Sequence, residues 1–536
     1  MPRFNAWSGA MSNGELVHSK DDDRGLSLAP LNPPEENQSD LRPESIQPHH
    51  VKRGAARGGL VAVTSQAVKF ILRIGSMIVL ARLLTPNEFG VVAMATVVTG
   101  FLNLIKDAGL SAASVQQEVI SHEQMSALFW INLAMGGFWT LVTAGLAPVL
   151  AGFYQEPQLL WVTLWLAVTF VVTGASAQHQ SILQRKMSFG VLAVVEIIAL
   201  VFSVGVGLAM ALLNAGLWAL VGMLLVQPVA NTIGLWMAAG WVPGPPRSTL
   251  GMRPLFNFGG TLTLNALVVY AAYNLDKVLL GKMWGADPLG IYGRAYQLIN
   301  IPTENLNSSI GGVAFPALAR VQNDPVRLRT YFLKGYSIFL SLVMPVTVAC
   351  ALLSEDIVSV FLGSAWKDVV PIFRLLAPTI LAFAMINPFA WLMLSTGKTV
   401  RSLLIACMIA PIVILGYTIG LQAGPQGVAA GYSVAMVLII VPMIVWAKHG
   451  TLISMSDVAL AIVRPLASAT IASAATWWLI PHIAEVEPAL LRLVIASSVL
   501  FSVYLYVLLI VLKEKAVYLS LLRDTGMWPR KGLPEI

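Results

Sequence analysis

Lys69 and Arg73 stand four residues apart in the stretch Ser65-Gln-Ala-Val-Lys-Phe-Ile-Leu-Arg-Ile-Gly-Ser-Met77. Four residues is about one helical turn, so the two cations share a face. Like charges on one face repel, and each costs about 2.5–3.5 kcal/mol at the centre of a membrane helix. The pair is therefore expected to face an anion or water; the structural alternative is that each snorkels or pairs with an acid such as Asp107 or Glu196. Arg294 and Arg374 are further cations inside apolar stretches, placed to extend such a cationic path or to snorkel to a boundary.

The acids in apolar stretches, Glu196, Asp276 and Glu304, can carry a coupling proton or Na⁺, or pair structurally. Asp276 and Lys277 are adjacent, and adjacent helical residues diverge by roughly 100°. Asp276 is therefore expected to pair elsewhere, with Arg294 one candidate. Other chemistry is sparse. Gly397-Lys-Thr399 resembles the end of a phosphate loop, but the upstream glycine that loop requires falls on Leu392. The seven histidines are scattered without metal-ligand spacing. No catalytic residue, bound metal or ATP site is expected.

These residues need helices in a bilayer to position them. The chain is 57% hydrophobic and 11% charged, with a mean hydropathy of +0.74, whereas soluble domains carry about 25% charged residues. Continuously apolar stretches of roughly 20 residues recur from about residue 58 onward, the length of a membrane helix. Fourteen spans are expected, the first centred near residue 70 and the last near 501. The eighth is interrupted by Gln297, Asn300, Glu304, Asn305 and Asn307.

Residues 1–50 are polar and read as a disordered cytoplasmic tail. With that tail inside, twenty Lys and Arg fall on the inner side of the spans and four on the outer, which predicts both termini in the cytoplasm. The net charge of +7 then belongs to inner loops and not to nucleic-acid binding. Leu80-Ala-Arg-Leu-Leu-Thr-Pro-Asn-Glu-Phe-Gly-Val-Val92 lies over Leu280-Gly-Lys-Met-Trp-Gly-Ala-Asp-Pro-Leu-Gly-Ile-Tyr292 at an offset of 200, aligning Gly90 with Gly290. Six helices separate the copies, so both halves have one orientation, related by a pseudo-twofold axis along the membrane normal. The expected organisation is a six-helix bundle over 55–240, a cytoplasmic linker over 241–254, a second bundle over 255–448, two extra helices over 449–512 and a cytoplasmic tail over 513–536.

The chain resembles the Wzx-type polysaccharide exporters of the multidrug/oligosaccharidyl-lipid/polysaccharide (MOP) superfamily, in particular their colanic-acid-exporter-like branch. The resemblance rests on residues 80–90, Asp107-Ala-Gly-Leu110 with Gln116, residues 178–189, Asn274-Leu-Asp-Lys-Val-Leu-Leu-Gly281, Gly290-Ile-Tyr-Gly-Arg-Ala-Tyr-Gln-Leu298, and Pro316-Ala-Leu-Ala-Arg-Val-Gln322 with Asp324. It implies an all-α integral membrane protein with a V-shaped cavity between bundles, as in MATE transporters. It further implies a flippase that moves undecaprenyl-diphosphate-linked oligosaccharide across the bacterial inner membrane for surface or extracellular polysaccharide, alongside glycosyltransferases and a polymerase. In such proteins a basic cavity is thought to attract the diphosphate and acidic sugars. Lys69 and Arg73 lie outside the resembling segments, so their role rests on position and chemistry. Alternatives are a drug/cation antiporter, which would want an acid-lined site, a peptidoglycan-precursor flippase, a membrane scaffold, and a glycan-assembly enzyme, which the short outer loops disfavour.

Overall fold

In a bilayer the backbone has no partner but itself, so continuously apolar stretches fold as helices. The computed structural model describes residues 48–106, 121–245 and 253–514. The first half holds α1 (Pro48–Leu83), α2 (Pro86–Lys106), α3 (His122–Tyr154), α4 (Gln158–Arg185), α5 (Phe189–Leu212) and α6 (Leu217–Ala239). The second holds α7 (Arg253–Trp284), α8 (Ala286–Arg320), α9 (Pro325–Leu352), the short α10 (Ser354–Phe361) and α11 (Val369–Leu376), α12 (Pro378–Ser395), α13 (Thr399–Gly420) and α14 (Gly424–Ala447). Two more follow, α15 (Met455–Leu479) and α16 (Ala489–Tyr506).

Ten stretches among the described residues are long and apolar enough to cross a membrane, and the protein is a multi-pass membrane protein. One of them, Val400–Ala447, covers both α13 and α14. Helices α1, α7 and α8 are 36, 32 and 35 residues long and are not among the ten. The first and last expected span centres fall inside α1 and α16, while the total of fourteen crossings is not fixed by length and hydropathy.

Local sequence sets the helix ends. Ser121 caps α3 in a reciprocal bond with Gln124, and Ser454 caps α15 in the same way with Asp457. Asp324 accepts from the backbone of Val326 and Arg327 at the start of α9, with Pro325 at the first helical position. Pro302, Pro345, Pro388, Pro411 and Pro442 lie inside continuous helices. Pro378 instead opens α12 and divides the apolar stretch Val369–Ser395 into two helices, because it offers no backbone donor.

The main apolar core draws on both copies of the repeat, including Leu80 and Phe89 from one and Leu289 and Tyr292 from the other. At its edge α2 and α8 meet backbone to backbone. A Cβ on Gly90 would stand 1.8 Å from the carbonyl oxygen of Ala286, and one on Gly290 would stand 1.8 Å from that of Pro86. The residues that the sequence repeat aligns are thus the residues that touch. Trp366 braces this end by donating its indole N–H to the Ala81 carbonyl at 2.6 Å and packing edge-on against Phe89. The final helices lean on the second half: Arg329 of α9 makes two bonds to Asp457, of 2.9 and 2.5 Å, and Tyr504 donates to the Ser341 carbonyl. At the start of the expected linker, Trp241 donates its indole N–H to His122 Nδ1 at 3.0 Å and Gly244 N–H bonds to Ser126 Oγ, fixing the exit of α6 to the entry of α3.

Because there is no room for a methyl at the crossing, Gly290→Ala is expected to lower stability by about 1–3 kcal/mol. Gly137→Ala, at a helical site with nothing within 4 Å, is expected to leave it unchanged or raise it. Thermal unfolding of the two variants in detergent, measured side by side, checks this.

Candidate functional site

Beside the α2–α8 crossing lies a cavity of about 660 Å³, walled by α1, α2, α7 and α8. From α1 come Gln66, Lys69, Phe70 and Arg73, which share a face by their spacing of three and four. From α7 come Tyr270, Asn274 and Lys277, again three and four apart. Helix α8 contributes Arg294, Gln297, Asn300, Glu304 and Ser308, and α2 contributes Thr96 and Val97. Tyr270 ties two walls together by donating its hydroxyl to the Val97 carbonyl at 2.9 Å.

The cations are held in different ways. Lys69 Nζ sits 2.7 Å from Glu196 Oε2 on α5, so it is both a wall residue and ion-paired. Glu196 is one of the two acids that the sequence offers it. Arg73 is exposed to the cavity and has no carboxylate within ion-pair distance among the described residues. Lys277 donates to Asn274 Oδ1 at 2.7 Å, and its ammonium lies 4.4 Å from the ring centre of Tyr296. The Arg294 guanidinium lies 4.0 Å from the ring centre of Phe89, and its Nε is buried without a hydrogen-bond partner. Aromatic faces attract such cations without neutralising them. Arg73, Lys277 and Arg294 therefore keep their positive charge available to the cavity.

Other expected residues lie elsewhere. Asp276 does not pair with Arg294: it turns into the core of the second half, 2% exposed, and accepts from the Tyr292 hydroxyl at 2.6 Å and the Lys277 backbone N–H at 2.8 Å. The divergence of adjacent helical positions puts Asp276 in the core and Lys277 on the wall. Arg374 is not a wall residue; it lies on α11 and donates to Ser354 Oγ at 3.0 Å. Asp107 lies outside the described residues. Glu304 faces the cavity. Sequence reasoning missed Lys277 as a wall residue. It also treated Gln297, Asn300, Glu304 and Asn305 as interruptions of a span, although the first three follow one another at three and four residues, the period of one helical face.

The site combines unneutralised cations, amide side chains and aromatic faces inside a membrane-embedded helical protein. That combination can hold a polyanion together with hydroxyl-rich groups. The fold and cavity define a polytopic membrane protein with an internal chamber lined by cations. The chain belongs to the polysaccharide biosynthesis protein family, whose pattern matches residues 79–371, more than half its length. It is 30% identical over 331 residues to the teichuronic acid biosynthesis protein TuaB of Bacillus subtilis, covering 61% of this chain and 68% of that one. It is 27% identical to the succinoglycan biosynthesis transport protein ExoT of Rhizobium meliloti, covering 59% and 64%. In fold it is similar to the lipid II flippase MurJ in an inward closed conformation, with a TM-score of 0.67 and 14% identity over 87% of this chain and 99% of that one. The expected all-helical fold is the one observed among the described residues, and it is shared with that flippase.

Tyr292→Phe removes the hydroxyl donor to the buried Asp276, the one side-chain donor to it among the described residues. It is expected to cost about 1–3 kcal/mol, the penalty for an unsatisfied buried acceptor, read as a lowered midpoint of thermal unfolding.

Proposed function

We propose that this protein is a flippase that moves undecaprenyl-diphosphate-linked oligosaccharide repeat units across the bacterial cytoplasmic membrane by alternating access. The observation that carries this reading is the set Arg73, Lys277 and Arg294, three cations that face one intramembrane cavity with no carboxylate in ion-pair contact among the described residues. Cations are retained in a membrane interior where something anionic must be met. The relatives' names, teichuronic acid biosynthesis and succinoglycan transport, support an anionic sugar-lipid over a cationic drug, which would be repelled here. The fold shared with a lipid II flippase fits a lipid-linked cargo, and the family description favours polysaccharide precursors over peptidoglycan ones.

With both termini taken as cytoplasmic, the side that the charge distribution favours, the Gly90–Gly290 crossing closes the outer side. The cavity then extends inward from that crossing, along α1 to Gln66 and along α8 to Ser308. The diphosphate enters from the inner leaflet and is neutralised by the cations, while the polyprenyl tail stays in the bilayer. Rocking of one half against the other parts the crossing and exposes the head group outside. Glycosyltransferases on the inner face supply the cargo, and a polymerase on the outer face consumes it. The protein translocates without making or breaking covalent bonds. A coupling H⁺ or Na⁺ has Glu304 as the carboxylate open to the cavity.

Arg73→Ala and Lys277→Ala are each expected to reduce translocation about 10- to 100-fold, the worth of a charge-assisted contact. The assay uses cells lacking the native gene, with expression verified, and scores lipid-linked oligosaccharide on the outer leaflet with an impermeant sugar-modifying probe. Undiminished outward labelling in both single variants and in the double variant would remove the anion-chamber mechanism.

A further inference from the structure

The repeat that aligns Gly90 with Gly290 also aligns two cations. Arg82 and Lys282 stand at the same offset of 200, each eight residues before the glycine of its copy. They fall in the last turns of α1 and α7, and both are exposed. Neither has a carboxylate within ion-pair distance among the described residues.

Each reaches instead into the opposite half. Arg82 donates a guanidinium N–H to the Val360 carbonyl of α10 at 3.0 Å. Lys282 donates to the Phe153 carbonyl of α3 at 2.5 Å, and its ammonium lies 5.0 Å from the Phe153 ring centre. Val360 and Phe153 are each the last residue but one of their helix. Carbonyls in the last turn of a helix lack a partner within it and carry the negative end of its dipole, so a cation suits them. The two contacts are thus the same contact made twice, from equivalent positions of the repeat, and each joins one half to the other. Rocking of the halves that parts the neighbouring Gly90–Gly290 crossing has to break both. Trp366, bonded to the Ala81 carbonyl, also joins the halves at this end, but it is 2% exposed and its removal would leave a void in the core. The two exposed cations can be removed without one.

We propose that Arg82 and Lys282 are reciprocal latches: each caps the end of a helix in the opposite half, and together they hold the outer side of the cavity shut and set how often it opens outward. This rests on the alternating-access reading above. The two are positioning residues, which act on the halves and not on the cargo.

The test reads access to the cavity from each side. Thr96 of α2 lies on the cavity wall six residues past Gly90, and Thr96→Cys places a thiol there, in full-length protein whose own Cys350 and Cys407 are replaced by serine. A membrane-impermeant maleimide is applied to spheroplasts, which expose the outer side, and to inverted membrane vesicles, which expose the inner side. The parent protein is expected to be labelled from the inner side. Arg82→Ala with Lys282→Ala is expected to raise the rate of labelling from the outer side about three- to thirtyfold, the combined worth of two exposed cations at helix ends, with no rise from the inner side. Each single variant is expected to give about two- to fivefold, a second reading where the double variant assembles poorly, and Arg82→Lys with Lys282→Arg to stay near the parent rate. An outer rate unmoved in the double and both single variants, or a rise of equal size on both sides, would overturn the latches and leave alternating access intact. A parent protein not labelled from the inner side would overturn the inward-opening cavity, and the latches with it.

Discussion

The carbonyl oxygens of Pro86 and Ala286 occupy the space where side chains at positions 290 and 90 would stand. Much of the arrangement follows from that backbone contact. It brings the starts of α2 and α8 together at one end of the molecule, and these are the equivalent helices of the two repeat copies. The cavity lies beside that crossing, lined from α1, α2, α7 and α8. In a bilayer the apolar effect does not distinguish a neighbouring helix from lipid, so close packing through small residues decides which helices associate. A crossing in which glycines meet neighbouring backbone carbonyls is tight.

Below that contact the protein handles intramembrane charge by several devices. Lys69 is neutralised by Glu196, whereas Lys277 and Arg294 rest against the rings of Tyr296 and Phe89. Arg73 is open to the cavity. Ring faces lower the cost of holding a cation while leaving its charge unspent, and an ion pair cancels the charge outright. The mixture sets how much positive charge the cavity wall presents. Asp276 illustrates the opposite solution, a carboxylate kept from the cavity and satisfied by the Tyr292 hydroxyl and a backbone N–H.

The sequence alone determined that the chain is helical and crosses a membrane repeatedly, because a long apolar stretch in a bilayer has a single way to satisfy its backbone. It also revealed the two-fold repeat through Gly90 and Gly290, and it marked Lys69, Arg73 and Arg294 by the cost of charge in an apolar segment. It separated Asp276 from Lys277 by helical angle alone. Which of those two faced the cavity depended on the packing of α7 against α2 and α8, and only the tertiary structure decided it. The same holds for the choice of Glu196 as the partner of Lys69, 127 residues away, for the distance of Arg374 from the site, and for the use of the polar residues of α8 as a wall. Helical periodicity fixes which residues share a face within one helix; what that face meets is set by contacts between helices far apart in the chain, and no local spacing records them.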